Sequence, residues 1–449
     1  MTSFWLILEY LKVNSYELQI LPKIVTSVFE MLNDQHYPYA VLRNHDGLPY
    51  SNRSRDIDIL IKPEYYGNLK KDFVNLVLKA NYKIVTFFES ERLRTFVCAR
   101  IVGTDVEMIQ FDLFVHTSAY GHILLDSDDV LAASIPNKNG IYCVSKEYEF
   151  LDKYLYLKYL GAEYPSKYSR LKKEIQASQK LKEIIQSKFE ISSFEELESM
   201  PTTKFRHIVH HNRKDYMNRL FFWWNYVKNN LTYKGFSIGF TGPDGAGKTT
   251  VIESLEKQLL MVYPKVTSFH FRPTVFGNLG DVAHSAGMKK NVDHNYDKPH
   301  RGSKTGIASS ILRLMYYSMD YIFGYFKTVR KALARRELVI FDRYYTDIIC
   351  DSRRSRIYLN PKFLYGWGKM FIPSLDYNIL LTASTDTILA RKRELNETGI
   401  QNINDKIEYL SEKEGYLKIM NDQTPEKAVE AILSYVFEKQ HIKNLKRLK

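Results

Sequence analysis

The residues that most clearly indicate a chemical function form one short segment, residues 242–250, which reads GPDGAGKTT. It fits the pattern G-x-x-x-x-G-K-[ST], in which backbone N–H groups wrap around the phosphates of a nucleotide. The apolar run 236–240 before it is typical of a buried strand. The apolar residues after it recur on one face of a predicted helix: Val251, Ile252, Leu255 and Leu259. Because a helix N-terminus after a glycine loop directs free amides and the helix dipole at an anion, this context predicts a phosphate site.

The candidates for nucleotide binding in this segment are Gly242, Asp244, Gly245, Ala246, Gly247, Lys248, Thr249 and Thr250. Glycine allows the backbone to approach the anion without a Cβ clash. We expect the Lys248 ammonium against the β- and γ-phosphates and the Thr249 hydroxyl on Mg²⁺.

Further along the chain, two more charged groups follow predicted strands. The strand 338–341 ends in Asp342 and Arg343, and a carboxylate at this place is expected to hold Mg²⁺, directly or through water. Arg343 is expected to clamp a phosphate through two parallel hydrogen bonds, although a surface ion pair is the alternative. After the strand 376–381, a predicted helical stretch carries Arg391, Lys392 and Arg393. These cations predict either a lid that closes on the transferring phosphoryl group or a solvated face.

The pattern of predicted elements divides the chain into four parts. Residues 1–35 are a helical lead-in without an assigned role, and residues 36–150 mix short strands with turns, which predicts an α+β domain. Residues 151–234 are helical and basic and are predicted as a connector. From residue 235 to 449 strands alternate with helices, which predicts an α/β domain built on a parallel sheet.

Composition limits the classes of partner and compartment. The net charge of +13 favours acidic partners or a diffusely basic surface. The three cysteines stand far apart without a C-x-x-C pair, which predicts a reducing, cytoplasmic environment. The apolar run at residues 4–8 is interrupted by Glu9, so neither a signal peptide nor a membrane span is expected there.

The loop GPDGAGKTT, the strand-end DRY at 342–344 and the lid-like ARKRE at 390–394 occur in this order and resemble the thymidylate kinase family over residues 235–440. The resemblance implies a three-layer P-loop fold that moves the γ-phosphoryl group of ATP, with Mg²⁺, to a nucleoside monophosphate such as dTMP. It also implies that Asp244 contacts the acceptor sugar hydroxyl, that Arg343 grips the acceptor phosphate, and that Arg391 and Arg393 act from the lid. Members of the family are often dimers, which makes a homodimer a candidate assembly.

The chain departs from this family around the acceptor. Where the family usually has Arg-Glu-Pro-Gly-Gly-Thr, residues 271–274 read FRPT, so only Arg272 is retained as an acceptor-binding candidate. A long insertion with His294, His300 and Arg301 follows, and a charged cluster comes after the DRY: Asp347, Asp351, Arg353, Arg354 and Arg356. The pattern is closer to thymidylate kinase-like proteins found beside bacterial surface-polysaccharide genes, which leaves a nucleotide or a sugar-phosphate as the small-molecule acceptor.

Near the N-terminus, Asp56 and Asp58 stand at positions i and i+2 of a predicted strand and therefore share one face. Asp112 lies on a second predicted strand. Three carboxylates on adjacent strands can hold Mg²⁺ against a triphosphate. With the helical tail after them they resemble the nucleotidyltransferase superfamily over residues 37–160. The family's Gly-Ser is missing, and Leu42-Arg43-Asn44 stands in this region instead.

Three interpretations of this half stay open: an active nucleotidyltransferase, a nucleotide-binding or degenerate domain, and plain acid/apolar alternation on half-exposed strands. An active domain predicts a bifunctional chain or, as the alternative, a nucleotidyltransferase whose P-loop half is an ATP-binding regulatory domain.

The basic middle segment carries two further ambiguous patterns. The run 220–224 (LFFWW) predicts either an interdomain packing face or an amphipathic helix on a membrane surface. His207, His210 and His211 have helical spacing but lack a carboxylate partner, which favours a solvated face over a metal site. A non-catalytic adaptor for nucleic acid or membranes is the weakest alternative, because it leaves the glycine loop and the DRY unexplained.

Overall fold

The computed structural model describes residues 19–52, 54–210, 216–272 and 306–449. These residues divide into two compact units. The mixed-sheet unit consists of the described residues within 19–100, 107–232 and 437–449, and the parallel-sheet unit consists of the described residues within 101–106 and 233–436. The His294, His300 and Arg301 of the predicted insertion lie outside the described residues.

The mixed-sheet unit is built on seven strands in the order β10-β11-β2-β4-β7-β6-β5. Two short pairs, β1-β3 and β8-β9, accompany them. The strands run β1 Gln19–Ile20, β2 Tyr39–Val41, β3 Ser51–Asn52, β4 Asp56–Ile61, β5 Lys83–Glu89, β6 Leu93–Val102, β7 Asp105–Phe114, β8 Thr117–Ala119, β9 His122–Leu125, β10 Ile135–Pro136 and β11 Tyr142–Cys143.

Helices cover both faces of this sheet. They are Lys23–Asp34, Tyr66–Lys79, Ser127–Ala132, Lys146–Leu160, Ser169–Ile175, Gln179–Phe189, Phe194–Ser199, Thr202–His210 and Tyr216–Thr232, with single 3₁₀ turns at Pro63–Tyr65 and Ser166–Tyr168. Alternation along β4 separates two cores, because Ile57 and Ile59 pack in one hydrophobic cluster and Leu60 in the other. Asp56 and Asp58 therefore share the Leu60 face.

The parallel-sheet unit has five strands in the order β13-β14-β12-β15-β16, and all neighbours are parallel. The strands run β12 Ser237–Thr241, β13 Val266–His270, β14 Leu338–Asp342, β15 Tyr377–Thr382 and β16 Tyr416–Met420. The predicted mixed α/β architecture with parallel strands is confirmed. Its consequence for function is that the carboxyl ends of all five strands meet at one edge, where ligands bind in open α/β sheets.

The helices of this unit complete the crossovers between the parallel strands. They are Lys248–Val262, Ile307–Gly324, Arg330–Ala334, Tyr345–Cys350, Ser352–Ser355, Pro361–Phe371, Thr385–Arg391 and Glu397–Ser411, with a π-helical turn at Tyr325–Val329. The last helix, Pro425–Leu448, supplies residues to both units. Across the described residues, no helix combines the length and the apolar composition needed to cross a bilayer.

Three hydrogen bonds between Ser237 and Asp376 fix β12 beside β15. Asp376 accepts from the Ser237 backbone N–H at 2.9 Å and from the Ser237 hydroxyl at 3.0 Å. The Ser237 hydroxyl in turn accepts from the Asp376 N–H at 3.1 Å.

We expect Asp376→Ala to lower the free energy of unfolding by about 1–3 kcal/mol, because it leaves Ser237 groups at the start of a buried strand unpaired. Urea unfolding followed by circular dichroism measures the change. Glu414→Ala, at an exposed carboxylate in the same unit, is the control. An equal effect of both variants would contradict the assignment.

Candidate functional site

The glycine loop, residues 242–248, joins β12 to the helix Lys248–Val262 and depends on glycine at several positions. Gly245 and Gly247 have φ of +89° and +85°, in the left-handed region that favours glycine. A Cβ at Gly247 would lie 2.6 Å from the Asn421 amide nitrogen, and one at Gly242 would overlap the Leu381 carbonyl oxygen. The loop is thus a narrow cradle whose backbone can approach a ligand closely. Its shape fits a phosphate.

Lys248 points into this loop. Its ammonium donates to the carbonyl oxygens of Gly242 and Pro243, both at 2.8 Å, and the residue is only 6% exposed. Burial, followed by the nearby charge of Arg343, lowers the pKa of Lys248 to about 8. Thr249 and Thr250 begin the helix and are exposed, so their hydroxyls are accessible beside the buried cation.

Asp342 ends β14, next to the start of the glycine loop. The parallel register pairs it with Phe240 on one side and His270 on the other. One carboxylate oxygen of Asp342 lies within hydrogen-bond distance of His270 Nδ1, at 3.0 Å. The other oxygen is buried with no hydrogen-bond partner among the described residues. Burial alone would raise the pKa of Asp342, but the His270 contact and the charges of Arg343 and Lys248 outweigh it and hold the pKa below its usual range. A carboxylate and a threonine hydroxyl are the oxygen donors that Mg²⁺ prefers, so this donor set fits that ion.

Arg343 is buried and adopts a φ of +75°, which turns its side chain across the sheet edge. One guanidinium nitrogen lies 3.0 Å from both carboxylate oxygens of Asp347, and the other contacts Asp244 of the glycine loop. The second oxygen of Asp244 contacts the Arg354 guanidinium. Arg354 also lies 3.5 Å from Asp351. Asp244 is therefore held between two arginines, in the arrangement in which guanidinium groups bind carboxylates and phosphates alike.

Arg272, the predicted acceptor-binding residue, is brought near the same edge but is already paired. Its guanidinium lies 2.9 Å from Asp320 in an ion pair that is almost completely buried. The guanidinium also stacks 4.8 Å from the centre of the Tyr317 ring. The pair joins the residue after β13 to the helix Ile307–Gly324, and a charge neutralised in this way has less electrostatic attraction to offer a ligand.

The two lid candidates are placed differently. Arg391 is the last residue of the helix Thr385–Arg391, and its guanidinium lies 3.6 Å from the position of a Cβ at Gly247. Arg393 is exposed in the extended segment after that helix. The structure thus brings Arg391 to the glycine loop and leaves Arg393 two residues beyond the helix end.

Two contributors were not singled out in the sequence. Asn421, directly after β16, is buried, and its side-chain amide donates to the Ala246 carbonyl at 2.9 Å. His270 ends β13 and contacts Asp342. Both follow strands of the parallel sheet, so the rule that polar side chains at carboxyl ends converge was the signal that could have identified them.

In the mixed-sheet unit, the register of parallel strands β4 and β7 places Asp58 opposite Asp112. Asp56, Asp58 and Asp112 each offer an oxygen, and these oxygens all lie within 4.8 Å of one another. Arg43 donates to Asp58 at 2.5 Å, Thr95 donates to Asp112 at 2.6 Å, and the other oxygen of Asp58 has no hydrogen-bond partner in the described parts of the chain.

Burial and neighbouring charge change the pKa of two of these carboxylates, Asp112 and Asp56. Burial, and then the charges of Asp58 and Asp56, raise the pKa of Asp112 to about 8. Burial and the charge of Asp58 raise the pKa of Asp56 to about 6. Like charges gathered in a buried site resist ionisation together, and a divalent cation relieves that repulsion. The cluster therefore fits a metal ion better than a solvated acidic surface.

The described histidines of the middle segment, His207 and His210, do not belong to such a group. His210 lies 2.8 Å from the Tyr159 hydroxyl and stacks on His122 with ring centres 4.2 Å apart. His211 lies outside the described residues. Within the described ranges, the aspartate cluster is the one set of three or more ligand-type side chains with metal-binding proximity.

The chain matches no protein-family model and no curated protein sequence. Among solved structures it is similar to the thymidylate kinase from Ehrlichia chaffeensis, with 16% sequence identity and a TM-score of 0.29. That similarity covers 45% of this chain and 98% of the kinase. A similarity of this size does not indicate a function for this chain.

The depressed pKa of Lys248 predicts a pH-dependent nucleotide affinity. In the ligand-free protein, the Lys248 ammonium loses its proton above about pH 8. A phosphate bound beside it favours the charged form. ATP binding should therefore weaken as the pH rises above this value, and at about pH 9 it should take up close to one proton.

Titration calorimetry in buffers of different protonation enthalpy measures this proton uptake. Lys248→Arg is the matched control, because an arginine keeps its charge at alkaline pH. The control should bind without proton uptake, and uptake that persisted in it would assign the proton to another group.

Proposed function

We propose that the parallel-sheet unit is an ATP- and Mg²⁺-dependent phosphotransferase of thymidylate kinase type that acts on a small-molecule acceptor. The acceptor is a nucleoside monophosphate such as dTMP, or a related phosphorylated or sugar compound. The observation that carries the proposal is the convergence of the buried Lys248 in its glycine loop, the partly unpaired Asp342 and the buried Arg343 at one edge of the sheet.

The donor end of the proposed site consists of the glycine loop and its neighbours. The loop amides and Lys248 hold the β- and γ-phosphates of ATP, and Asn421 fixes the loop through the Ala246 carbonyl. Thr249 and Asp342 hold Mg²⁺, which neutralises phosphate charge when it is bound. On binding, Lys248 exchanges its two carbonyl partners for phosphate oxygens.

At the acceptor end, Arg343 and Arg354 provide two guanidinium groups around Asp244. We propose that Arg343 binds the acceptor phosphate, that Asp244 accepts from the acceptor sugar hydroxyl, and that Arg354 orients Asp244 and adds positive charge. Two adjacent arginines favour a phosphorylated acceptor over a neutral sugar, because a phosphate replaces the Asp244 oxygen at Arg343 while Arg354 adds positive charge beside it.

Transfer requires an acceptor oxygen to attack the γ-phosphorus as the bond to the β,γ-bridging oxygen breaks, which releases ADP. Proteins accelerate this reaction mainly by alignment and by stabilising charge on the moving group. Lys248 and Arg391, both beside the glycine loop, are the cations placed to do so, and Arg393 joins them if the segment after residue 391 closes over the loop.

The first test is Mg²⁺-dependent ADP formation with a panel of acceptors: dTMP, other nucleoside monophosphates, sugar phosphates and the corresponding unphosphorylated compounds. We expect stimulation by a phosphorylated member and a decrease of about 10²–10⁴-fold in Lys248→Ala, since a preorganised charge is lost. Normal turnover by Lys248→Ala would refute the proposal.

The acceptor side has its own matched pair of variants. Arg354→Gln should raise the KM of a phosphorylated acceptor about 10- to 100-fold, the equivalent of a charged hydrogen bond, and leave the KM of ATP unchanged. Arg353→Gln removes the same charge one residue away at an exposed position and should have little effect. If both variants change the acceptor KM equally, general electrostatics rather than Arg354 decides acceptor binding.

The aspartate cluster supports a second function in the other unit. We propose that Asp56, Asp58 and Asp112 bind Mg²⁺ for nucleotidyl transfer, because three carboxylates within 4.8 Å on two paired strands form a compact oxygen-donor set. In that reaction a hydroxyl oxygen attacks the α-phosphorus of a nucleoside triphosphate, and pyrophosphate leaves. Arg43, which stands where the superfamily's Gly-Ser is missing, orients Asp58.

The cluster is tested by metal binding as well as by activity. Asp58→Asn should weaken Mn²⁺ binding, measured by electron paramagnetic resonance, by at least about tenfold, because a charged ligand is lost. Asp56→Asn should abolish any Mg²⁺-dependent release of pyrophosphate. Asp46→Asn, at an exposed carboxylate of the same unit, is the control. Unchanged Mn²⁺ affinity in Asp58→Asn would exclude the cluster as a metal site.

A further inference from the structure

The helix Tyr216–Thr232, here called the tryptophan helix, has an inverted distribution of polarity. Its buried side chains are Asn225 and Asn229, at 5% and 6% exposure. Its large apolar side chains face outward, with Met217 and Trp224 at 70% and 68% exposure. A helix on the surface of a globular protein normally buries its apolar face. This arrangement therefore predicts that something else covers the exposed face.

The exposed apolar residues form a stripe along the helix. Six of them recur at helical spacing on one side, where Lys228 also lies: Met217, Leu220, Phe221, Trp224, Val227 and Leu231. Tyr216, Trp223 and Tyr226 extend the exposed apolar surface further around the helix. At 1.5 Å per residue the helix is about 25 Å long, so the stripe is a large apolar surface.

The opposite, polar side of the helix is attached to the mixed-sheet unit. The Asn229 amide donates to the Glu89 carbonyl at 2.9 Å. Gly121, at φ +81°, allows the backbone to approach, since a Cβ there would lie 2.7 Å from Arg219 Cα. The Phe222 ring contacts Tyr120 edge to face. These contacts fix the orientation of the helix, so the apolar stripe faces outward because of packing.

The charges on the helix indicate its occupant. Residues 216–232 carry two basic side chains, Arg219 and Lys228, both exposed, and no acidic one. A second copy of this chain would bring like charges together across the contact. Phosphate headgroups next to acyl chains match both features, and tryptophan with flanking basic residues is typical of helices in the membrane interface.

We propose that the tryptophan helix binds an anionic membrane surface and lies in the plane of the headgroups. Trp224, Phe221 and Leu220 insert to the level of the acyl chains, and Arg219 and Lys228 bind lipid phosphates. This inference does not depend on the proposed phosphotransferase activity.

The test is sedimentation of the full chain with vesicles of neutral phosphatidylcholine or of phosphatidylcholine mixed equally with phosphatidylglycerol. We expect tight binding to the mixed vesicles alone, a loss of binding at high salt, and a blue shift of tryptophan emission. Arg219→Gln and Lys228→Gln should each weaken this binding about fivefold. Trp224→Ser should weaken it about tenfold or more, and Trp224→Phe should retain most of it.

Phe363→Ser and Met370→Ser provide the control, because they remove exposed apolar side chains from a different helix. They should leave binding unchanged. The proposal is overturned if the chain ignores anionic vesicles, if the control variants reduce binding as much as Trp224→Ser does, or if light scattering detects a dimer that Trp224→Ser dissociates.

Discussion

The position of Lys248 is the constraint on which the parallel-sheet unit depends. A cation at a buried sheet edge is costly unless it is solvated by protein groups. Here two carbonyls of the glycine loop provide that solvation. The rest of the loop depends on Gly245 and Gly247, which adopt positive φ, and on Asn421, which binds the Ala246 carbonyl. The parallel register of β12, β14 and β13 then places Asp342 and His270 at the same edge.

The same electrostatic requirement governs the other charged groups at this edge. Arg343 is buried between Asp347 and Asp244, and Arg272 is buried on Asp320. The difference between them is their partner. Asp244 belongs to the glycine loop and is shared with Arg354, so its contacts can be exchanged for those of a ligand. Asp320 lies in a helix interior and is completely buried, which makes the Arg272 pair part of the packing.

Two features of the mixed-sheet unit cost free energy, one through repulsion between like charges and the other through exposed apolar surface. The aspartate cluster gathers negative charge, which Arg43, the nearby charge of Lys153 and three side-chain hydrogen-bond donors, Ser54, Thr95 and Gln110, offset in part. The tryptophan helix exposes apolar surface, and its two charged side chains, Arg219 and Lys228, are both basic. Neither arrangement helps the chain to fold, because buried like charges and exposed apolar stripes both cost free energy. Such features are expected where a protein binds something else.

The sequence by itself determined what depends on local pattern: the glycine loop between strand and helix, the strand-end Asp342 and Arg343, and the shared face of Asp56 and Asp58. Chain periodicity and turn chemistry suffice for these. Only the tertiary structure decided which distant residues meet them. Arg354 reaches Asp244, Asn421 supports Ala246, Asp112 aligns with Asp58, and Arg272 is neutralised by Asp320. Strand order and register set these pairings, and they arise from contacts between residues far apart in the chain, which local spacing does not encode.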